Sequence, residues 1–245
     1  MAEPESAGRA AARRPDRRWL PALGGVVMLA ATASAAAAPD TRQVPVDEFH
    51  RVYFSGAGTV RLTQGPTAQL TVRGEAGLLD GLKIETRDGA LYIETTGPAR
   101  ELLVELRVAG LEEFVSEGEG RIMGDGLSFD VLRLEGNGAG SFQMARLEAR
   151  ELEVRSRGAT RFELTGQVGH QIVDLSGTGA YRAGELISNS TTVNVTGASA
   201  VRLWADELLD VHVAGSAEIR YGGSPLVEQR ISGIASLLRI PQIVI

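Results

Sequence analysis

The sequence predicts an all-β protein in which short coils of chain stack into a parallel β-solenoid. A motif that reads Gly, any residue, small residue, any residue, apolar residue occurs seven times between positions 118 and 237, at intervals of 18 to 20 residues. Apolar and polar residues alternate with period two around each copy, which is typical of strands, and this region shows no convincing helical period. Because a unit of this length cannot bury its own apolar face, the copies must stack on one another. A β-sandwich of similar hairpins is the rival fold, but it would not require a fixed period.

The first 37 residues form a predicted secretory signal peptide. Five arginines between positions 9 and 18 precede the apolar stretch WLPALGGVVMLAATASAAAA, which ends in small residues suited to cleavage. Its apolar core is shorter than the roughly 20 residues of a membrane span, and an uncleaved N-terminal anchor is the alternative. We therefore expect an exported mature chain, with residues 38–46 as a linker before the folded domain.

Composition excludes several classes of function. The formal net charge is −6 at pH 7, and removing the five arginines and three acids of residues 1–37 would change it to −8. An acidic chain lacks the basic surface that nucleic-acid binding needs. The chain also contains no cysteine, which excludes disulfides, thiolate metal sites and a cysteine nucleophile.

Residues 47–117 are rich in strand patterns but less regular than the copies that follow. The stretch FSGAGTVRL at 54–62 repeats the motif, and Asp88–Gly89 lies between two alternating runs. That dipeptide predicts a two-residue hairpin in which Lys83 faces Glu94, although a corner of the solenoid is an alternative. Because solenoid ends need caps, we expect this segment to cap one end. The stretch LLRIPQIVI, which includes the tail 238–245, is expected to cap the other.

The glycines that open the motif are predicted to stack in one column at a tight bend. We expect them to point inward, where opposite walls approach and leave no room for a side chain. A column of small residues lies beside them, followed by a column that fills the interior, with Phe142, Phe162, Tyr181, Val201, Ile219 and Leu237. The structural repeat glycines are Gly56, Gly118, Gly138, Gly158, Gly177, Gly197, Gly215 and Gly233.

An early GxGxVxLxQG motif at 56–65, a DGxLxI motif at 88–93 and the repeated SGxGx-apolar motif occur together within residues 47–237. This combination resembles the head GIN domain family of auto-transporter adhesins. The resemblance implies an exported, right-handed parallel β-helix in the periplasm or at the outer-envelope surface of a Gram-negative-type bacterium. It implies no known activity.

Each glycine or histidine that could belong to a ligand site has a simpler structural explanation. The run EGNGAGSF at 135–142 lacks the following helix that a phosphate-binding loop needs. His50, His170 and His212 are at least 42 residues apart, without the spacing of a zinc motif. We therefore expect no cofactor site and no metal site.

The charged residues that could form a site also have a simpler structural explanation. Five arginines between Arg146 and Arg161 could bind an anionic polysaccharide or a lipid headgroup, but glutamates alternate with them, which favours a balanced, solvated face. The acids that could form a calcium or lyase site do not recur at one repeat position. They are Asp125, Asp130, Asp206, Glu207 and Asp210.

We therefore predict a non-catalytic, exported module that is adhesin-like or structural in the envelope. Its partner would be an extended polysaccharide or an envelope protein, bound along the outward ladders of the solenoid. The alternative is a β-helix lyase or hydrolase acting on polysaccharide. A concave groove with converging Asp, Glu and Arg side chains would favour that enzyme.

Overall fold

The chain forms the β-solenoid that the repeat predicts. The structure, a computed structural model, describes residues 39–97, 99 and 101–241. The predicted signal peptide, residues 1–37, lies outside the described residues, as do residues 242–245. The described elements are β1 (Asp40–Val44), β2 (Arg51–Gly56), β3 (Thr59–Gln64), β4 (Gln69–Gly74), α1 (Ala76–Asp80), β5 (Lys83–Arg87), β6 (Ala90–Glu94), β7 (Leu103–Val108), β8 (Glu113–Gly118), β9 (Arg121–Asp125), β10 (Ser128–Gly138), β11 (Ser141–Ser156), β12 (Arg161–Leu175), β13 (Ala180–Val195), β14 (Ala198–Trp204), β15 (Leu208–Val213), β16 (Ser216–Gly222), β17 (Leu226–Ile231) and β18 (Ile234–Arg239).

Each regular coil has three sides, which we name A, B and C in chain order. In one coil they are residues 133–138, 141–144 and 147–151, and each side pairs in parallel with the same side of the next coil. Strands β11, β12 and β13 are 15 or 16 residues long because each continues from side B through side C into the next side A. In the last coils a short connection replaces side C, since β14 ends at Trp204 and β15 begins at Leu208. This loss explains why the repeat shortens from 20 to 18 residues there.

Apolar side chains fill the interior in straight columns, as predicted. Phe142 pairs with Phe162, Phe162 with Tyr181 and Tyr181 with Val201, and the same column ends at Leu237. The rings of Phe142 and Phe162 stack with centroids 4.9 Å apart. Both are fully buried, so the burial of apolar surface along this column supplies much of the driving force for stacking.

A buried polar network crosses the interior where side C disappears. Trp204 is the last residue of β14. Its carbonyl oxygen accepts hydrogen bonds from Ser188 Oγ at 2.6 Å and Gln171 Nε2 at 3.2 Å. Tyr181 donates to Gln171 Oε1 at 2.6 Å, and Ser188 contacts Thr191 at 2.8 Å. No side-C strand follows Trp204, so its carbonyl oxygen has no neighbouring strand to pair with. The side chains of the network supply the hydrogen bonds that this buried group needs.

The repeat glycines form one column at the A–B corner, but the reason for glycine differs from the one expected. They are half-buried rather than pointing across the interior, apart from Gly233, which is exposed in the last coil. A Cβ on Gly177 would lie 1.9 Å from the carbonyl oxygen of Gly158 in the coil below, and one on Gly158 would lie 2.6 Å from that of Gly138. The expectation of wall-to-wall contact was therefore wrong, because the close approach is between successive coils along the axis. The buried small column lies two residues further on and includes Gly140 and Thr160.

The N-terminal coils do not follow chain order. Strand β2 pairs in parallel with both β6 and β8, and β3 pairs in parallel with both β7 and β9. The β2–β3 coil therefore lies between two coils that come later in the sequence. Beyond it, β4 pairs antiparallel with β7, and β1, within the segment expected to be a linker, pairs antiparallel with β4. These antiparallel strands cap this end.

The predicted hairpin is part of the cap. Strands β5 and β6 pair antiparallel, with Lys83 opposite Glu94 and Ile84 opposite Ile93. Asp88 and Gly89 form the turn with φ values of 51° and 69°, as a type I′ turn requires. The hairpin prediction is confirmed, and the corner is excluded.

The C-terminal end has no comparable cap among the described residues. Residues 237–239, expected to cap this end, instead complete β18, which continues the side-B ladder. All the described strands belong to the unit that spans residues 37–245. None of the helices in the described part of the chain is both long enough and apolar enough to cross a membrane.

Candidate functional site

A long groove follows side B across seven coils. Its volume is about 960 Å³. Each of the seven coils contributes one outward side chain from a single in-register column. Six intervals at about 4.8 Å give this column a length of about 29 Å. The column consists of Arg61, Met123, Gln143, Glu163, Arg182, Arg202 and Arg220. We call this feature the B-side groove.

Small residues and bulges lie along the groove. Gly124, Ala145, Gly184 and Ala200 line it with little or no side chain. The register between β11 and β12 shifts beside Ala145, where the next residue, Arg146, has φ of 51°. Because bulges bend a strand and redirect its side chains, they end the flat ladder at the B–C corner, next to the groove.

The groove carries charges of both signs. Its lining includes four arginines and the acids Asp125, Glu163, Glu185 and Glu218. Glu163 accepts hydrogen bonds from Arg182 at 3.1 Å and from Gln143 at 3.3 Å. The groove therefore offers many hydrogen-bonding groups without a strong excess of one charge.

Arg202 differs from the other groove arginines. Arg61, Arg182 and Arg220 each pair with a glutamate. Arg202 forms no ion pair with any residue that the structure describes. Its side chain lies over Gly184, where an added Cβ would be 2.8 Å from Arg202 Nε. Arg202 is exposed and lines the groove, and its donors have no partner among the described residues.

The five arginines predicted as a cluster lie outside the groove lining, and four of them form ion pairs with described residues. Arg146 bonds to Asp125 at 2.5 Å, Arg150 to Asp130 at 2.8 Å and Arg157 to Glu135 at 2.8 Å. The Arg150 guanidinium lowers the pKa of Asp130 through this hydrogen bond. The acids of these three pairs belong to the preceding coil, whereas the glutamates that alternate with the arginines in the sequence pair with Arg150 and Arg155.

The predicted histidines belong to separate local contacts. His170 Nδ1 lies 2.6 Å from Ser190 Oγ on side C. His212 Nε2 lies 2.9 Å from Asp210 Oδ1 on side A. His50 precedes β2, and its imidazole lies close to the backbone of Gly110. Across residues 39–97, 99 and 101–241, no group of three His, Cys, Asp or Glu side chains could hold a metal ion.

Sequence analysis predicted a ligand along the outward ladders but did not identify which ladder forms a groove. The repeat glycines at the A–B corner do not line it, whereas Gly124 and Gly184, which break the motif's alternation, do. The sequence does contain a signal for the groove. In each copy of the motif the residue after the interior apolar residue points outward, and in three successive copies that residue is Arg182, Arg202 and Arg220.

Comparison with known proteins identifies relatives of the whole solenoid. A family model described as "Putative auto-transporter adhesin, head GIN domain" matches residues 48–225. A "putative adhesin" from Bacteroides fragilis NCTC 9343 is similar in structure, with a TM-score of 0.77 and 22% identity, over 84% of this chain and 98% of that one. A "Putative lipid binding protein" from Parabacteroides distasonis ATCC 8503 gives 0.65 and 18%, over 84% and 98%.

A third solved structure, a "putative adhesin" from Parabacteroides merdae ATCC 43184, gives a TM-score of 0.59 at 16% identity, over 84% of this chain and 97% of that one. At such identities these likenesses show a shared fold. No curated protein matches the chain.

Proposed function

The chain belongs to the head GIN domain family of auto-transporter adhesins, and from this premise we propose that it is an exported, non-catalytic binding module of the cell envelope. Its place is the periplasm or the outer surface. The predicted signal peptide supports export. Its ligand is an extended polysaccharide strand bound along the B-side groove.

The observation that carries this proposal is the column of seven outward side chains in the groove. Because the column repeats at the spacing of the coils, it offers equivalent contacts to successive units of a polymer. Guanidinium, carboxylate and amide groups can each form two hydrogen bonds with hydroxyl pairs on a sugar. The opposite charges nearly balance, which suits a neutral or weakly charged polysaccharide.

A second candidate is an enzyme that cleaves polysaccharide in the same groove. Glu163, Glu185 and Glu218 share the groove with four arginines, and this combination of acids and arginines is the feature that would favour a lyase or a hydrolase. Hydrolysis needs two carboxyl groups held about 5–9.5 Å apart. Glu163, however, is engaged by Arg182 and Gln143, which makes it a better hydrogen-bonding group than a proton donor.

Binding of defined polysaccharides to the full chain tests the proposal. We expect Arg202→Ala to weaken binding about tenfold, since Arg202 faces the groove without an ion-pair partner among the described residues. Arg150→Ala is the matched control, because Arg150 is an exposed arginine outside the groove and its loss should leave affinity unchanged. Isothermal titration calorimetry gives both affinities. Equal losses in the two variants, or no binding to any polysaccharide, would contradict the proposal.

The same polymers distinguish the binding module from the enzyme. The full chain is incubated with neutral and uronic-acid polysaccharides, and the absorbance of unsaturated products and the reducing ends are followed. We expect no product. If product forms with the wild type and not with Glu163→Gln, the chain is an enzyme and the proposal of a non-catalytic binding module is wrong.

A further inference from the structure

Exposed apolar side chains are concentrated in the last coil. Seven large apolar residues of the described chain are exposed, and four of them belong to β17 and β18. The exposed fractions are 66% for Leu226, 42% for Ile231, 79% for Ile234 and 54% for Leu238. Ile231 faces the open end, because it continues the inward column of Val213. Leu226, Ile234 and Leu238 continue the outward columns of Leu208, Ser216 and Arg220, so they lie on the sides of the last coil.

The same coil has open strand edges. Among the described residues, β17 pairs with β15 alone and β18 with β16 alone. Each strand therefore presents one row of backbone N–H and C=O groups that no described strand pairs with. An exposed edge of this kind is a template for another strand. The opposite end of the solenoid consists of antiparallel β4 and β1, so the two ends differ in strand direction.

Strand β17 is complementary to itself when it runs antiparallel to a second copy. If Gln229 faces Gln229 of the second copy, then Glu228 lies opposite Arg230, and Val227 lies opposite Ile231. Glu228 and Arg230 both point outward, because they continue the columns of Asp210 and His212. Opposite charges paired on the outward face and apolar groups paired on the inward face both stabilise adjacent antiparallel strands.

We propose that the C-terminal coil is a dimer interface, in which β17 pairs antiparallel with β17 of a second copy about a two-fold axis at Gln229. Val227, Gln229 and Ile231 continue the inward columns of Leu209, Val211 and Val213. The second copy extends these columns and covers Val227 and Ile231 at the open edge of β17. A two-fold contact of this kind closes on itself and yields a dimer rather than a fibre.

Charge reversal tests the pairing. Sedimentation of the full chain over a wide range of concentration should show a monomer–dimer equilibrium. Arg230→Glu places like charges opposite each other and should weaken the dimer by at least about tenfold. The double variant Glu228→Arg with Arg230→Glu restores opposite charges and should recover it. Arg150→Glu, a reversal far from this coil, should change nothing.

Cross-linking tests the register independently. The chain contains no cysteine, so Gln229→Cys introduces one thiol per copy. Directly opposed residues of antiparallel strands have Cα atoms about 4.5–5.5 Å apart, within the range of a disulfide. We expect a covalent dimer under mild oxidation, and none from Thr178→Cys at an exposed bend. A monomer at all concentrations, or a dimer that neither Arg230→Glu nor Gln229→Cys affects, would overturn the proposal. Cover by a further segment of the same chain would also give the monomer.

Discussion

Replacement of Gly177 by alanine is expected to destabilise the solenoid by about 2–4 kcal/mol. The added Cβ would lie 1.9 Å from the carbonyl oxygen and 2.5 Å from the amide nitrogen of Gly158. Both atoms belong to the backbone of the next coil and cannot move aside as a flexible side chain would. The same oxygen accepts the Thr178 amide at 2.7 Å. Relieving the clash therefore separates two coils at a point where they are hydrogen-bonded.

The magnitude follows from two contributions. Overpacking a close-packed site costs about 1–3 kcal/mol, and the loss of a net hydrogen bond costs about 0.5–1.5 kcal/mol. For a domain of this size, each kcal/mol lowers the melting temperature by about 2–4 °C. The melting temperature should thus fall by roughly 4–16 °C.

Urea denaturation followed by circular dichroism measures the change in the unfolding free energy. Gly77→Ala in α1 is the matched control, because a Cβ there meets no atom within 4 Å. A helix position should tolerate alanine or gain up to about 1 kcal/mol from it. If both variants shifted the denaturation midpoint equally, the axial clash would not be what requires glycine at the A–B corner.

Three further predictions concern the core, the buried network and the surface. Phe162→Ala should cost about 3–5 kcal/mol in the same denaturation assay, because the ring is fully buried, and a loss below 1 kcal/mol would refute the stacked column. Tyr181→Phe should cost about 1–3 kcal/mol by leaving Gln171 Oε1 without its donor. Burial raises the pKa of Tyr181, so above about pH 10 the unfolded state alone loses this proton. Stability should then fall by up to about 1.4 kcal/mol per pH unit, and part of that slope should be absent in Tyr181→Phe. Arg182→Ala should stay within about 1 kcal/mol of the wild type by thermal denaturation, because its pair with Glu163 is exposed.

The regular coils could be predicted from the sequence because every repeat contributes one residue of the same kind to each interior column. Phe142, Phe162 and Tyr181 occur at the same place in successive copies, so the period fixes both their register and their inward direction. The Asp88–Gly89 turn could be predicted for a local reason, since only a few residues tolerate its positive φ values.

The remaining features depend on contacts that the repeat does not encode. The clash at Gly177 involves a backbone atom of another coil, and the sequence shows only that a side chain is excluded. The position of β2 between β6 and β8 arises from pairing across some 40–60 residues, which a local pattern does not reveal. Bulges and small neighbouring residues shape the groove around Arg202, and the repeat pattern does not specify where such bulges occur.

The insertion of the β2–β3 coil between later coils gives the two ends of the molecule different mechanical strength. A load on the C-terminus peels β17 and β18 away one after the other, because each holds to a single neighbour among the described strands. A load on the N-terminus first separates β1 from β4, its single neighbour among the described strands. It must then shear β2 and β3 from neighbours on both flanks together. A tether attached at the N-terminal end will therefore resist pulling far better than one attached at the opposite end.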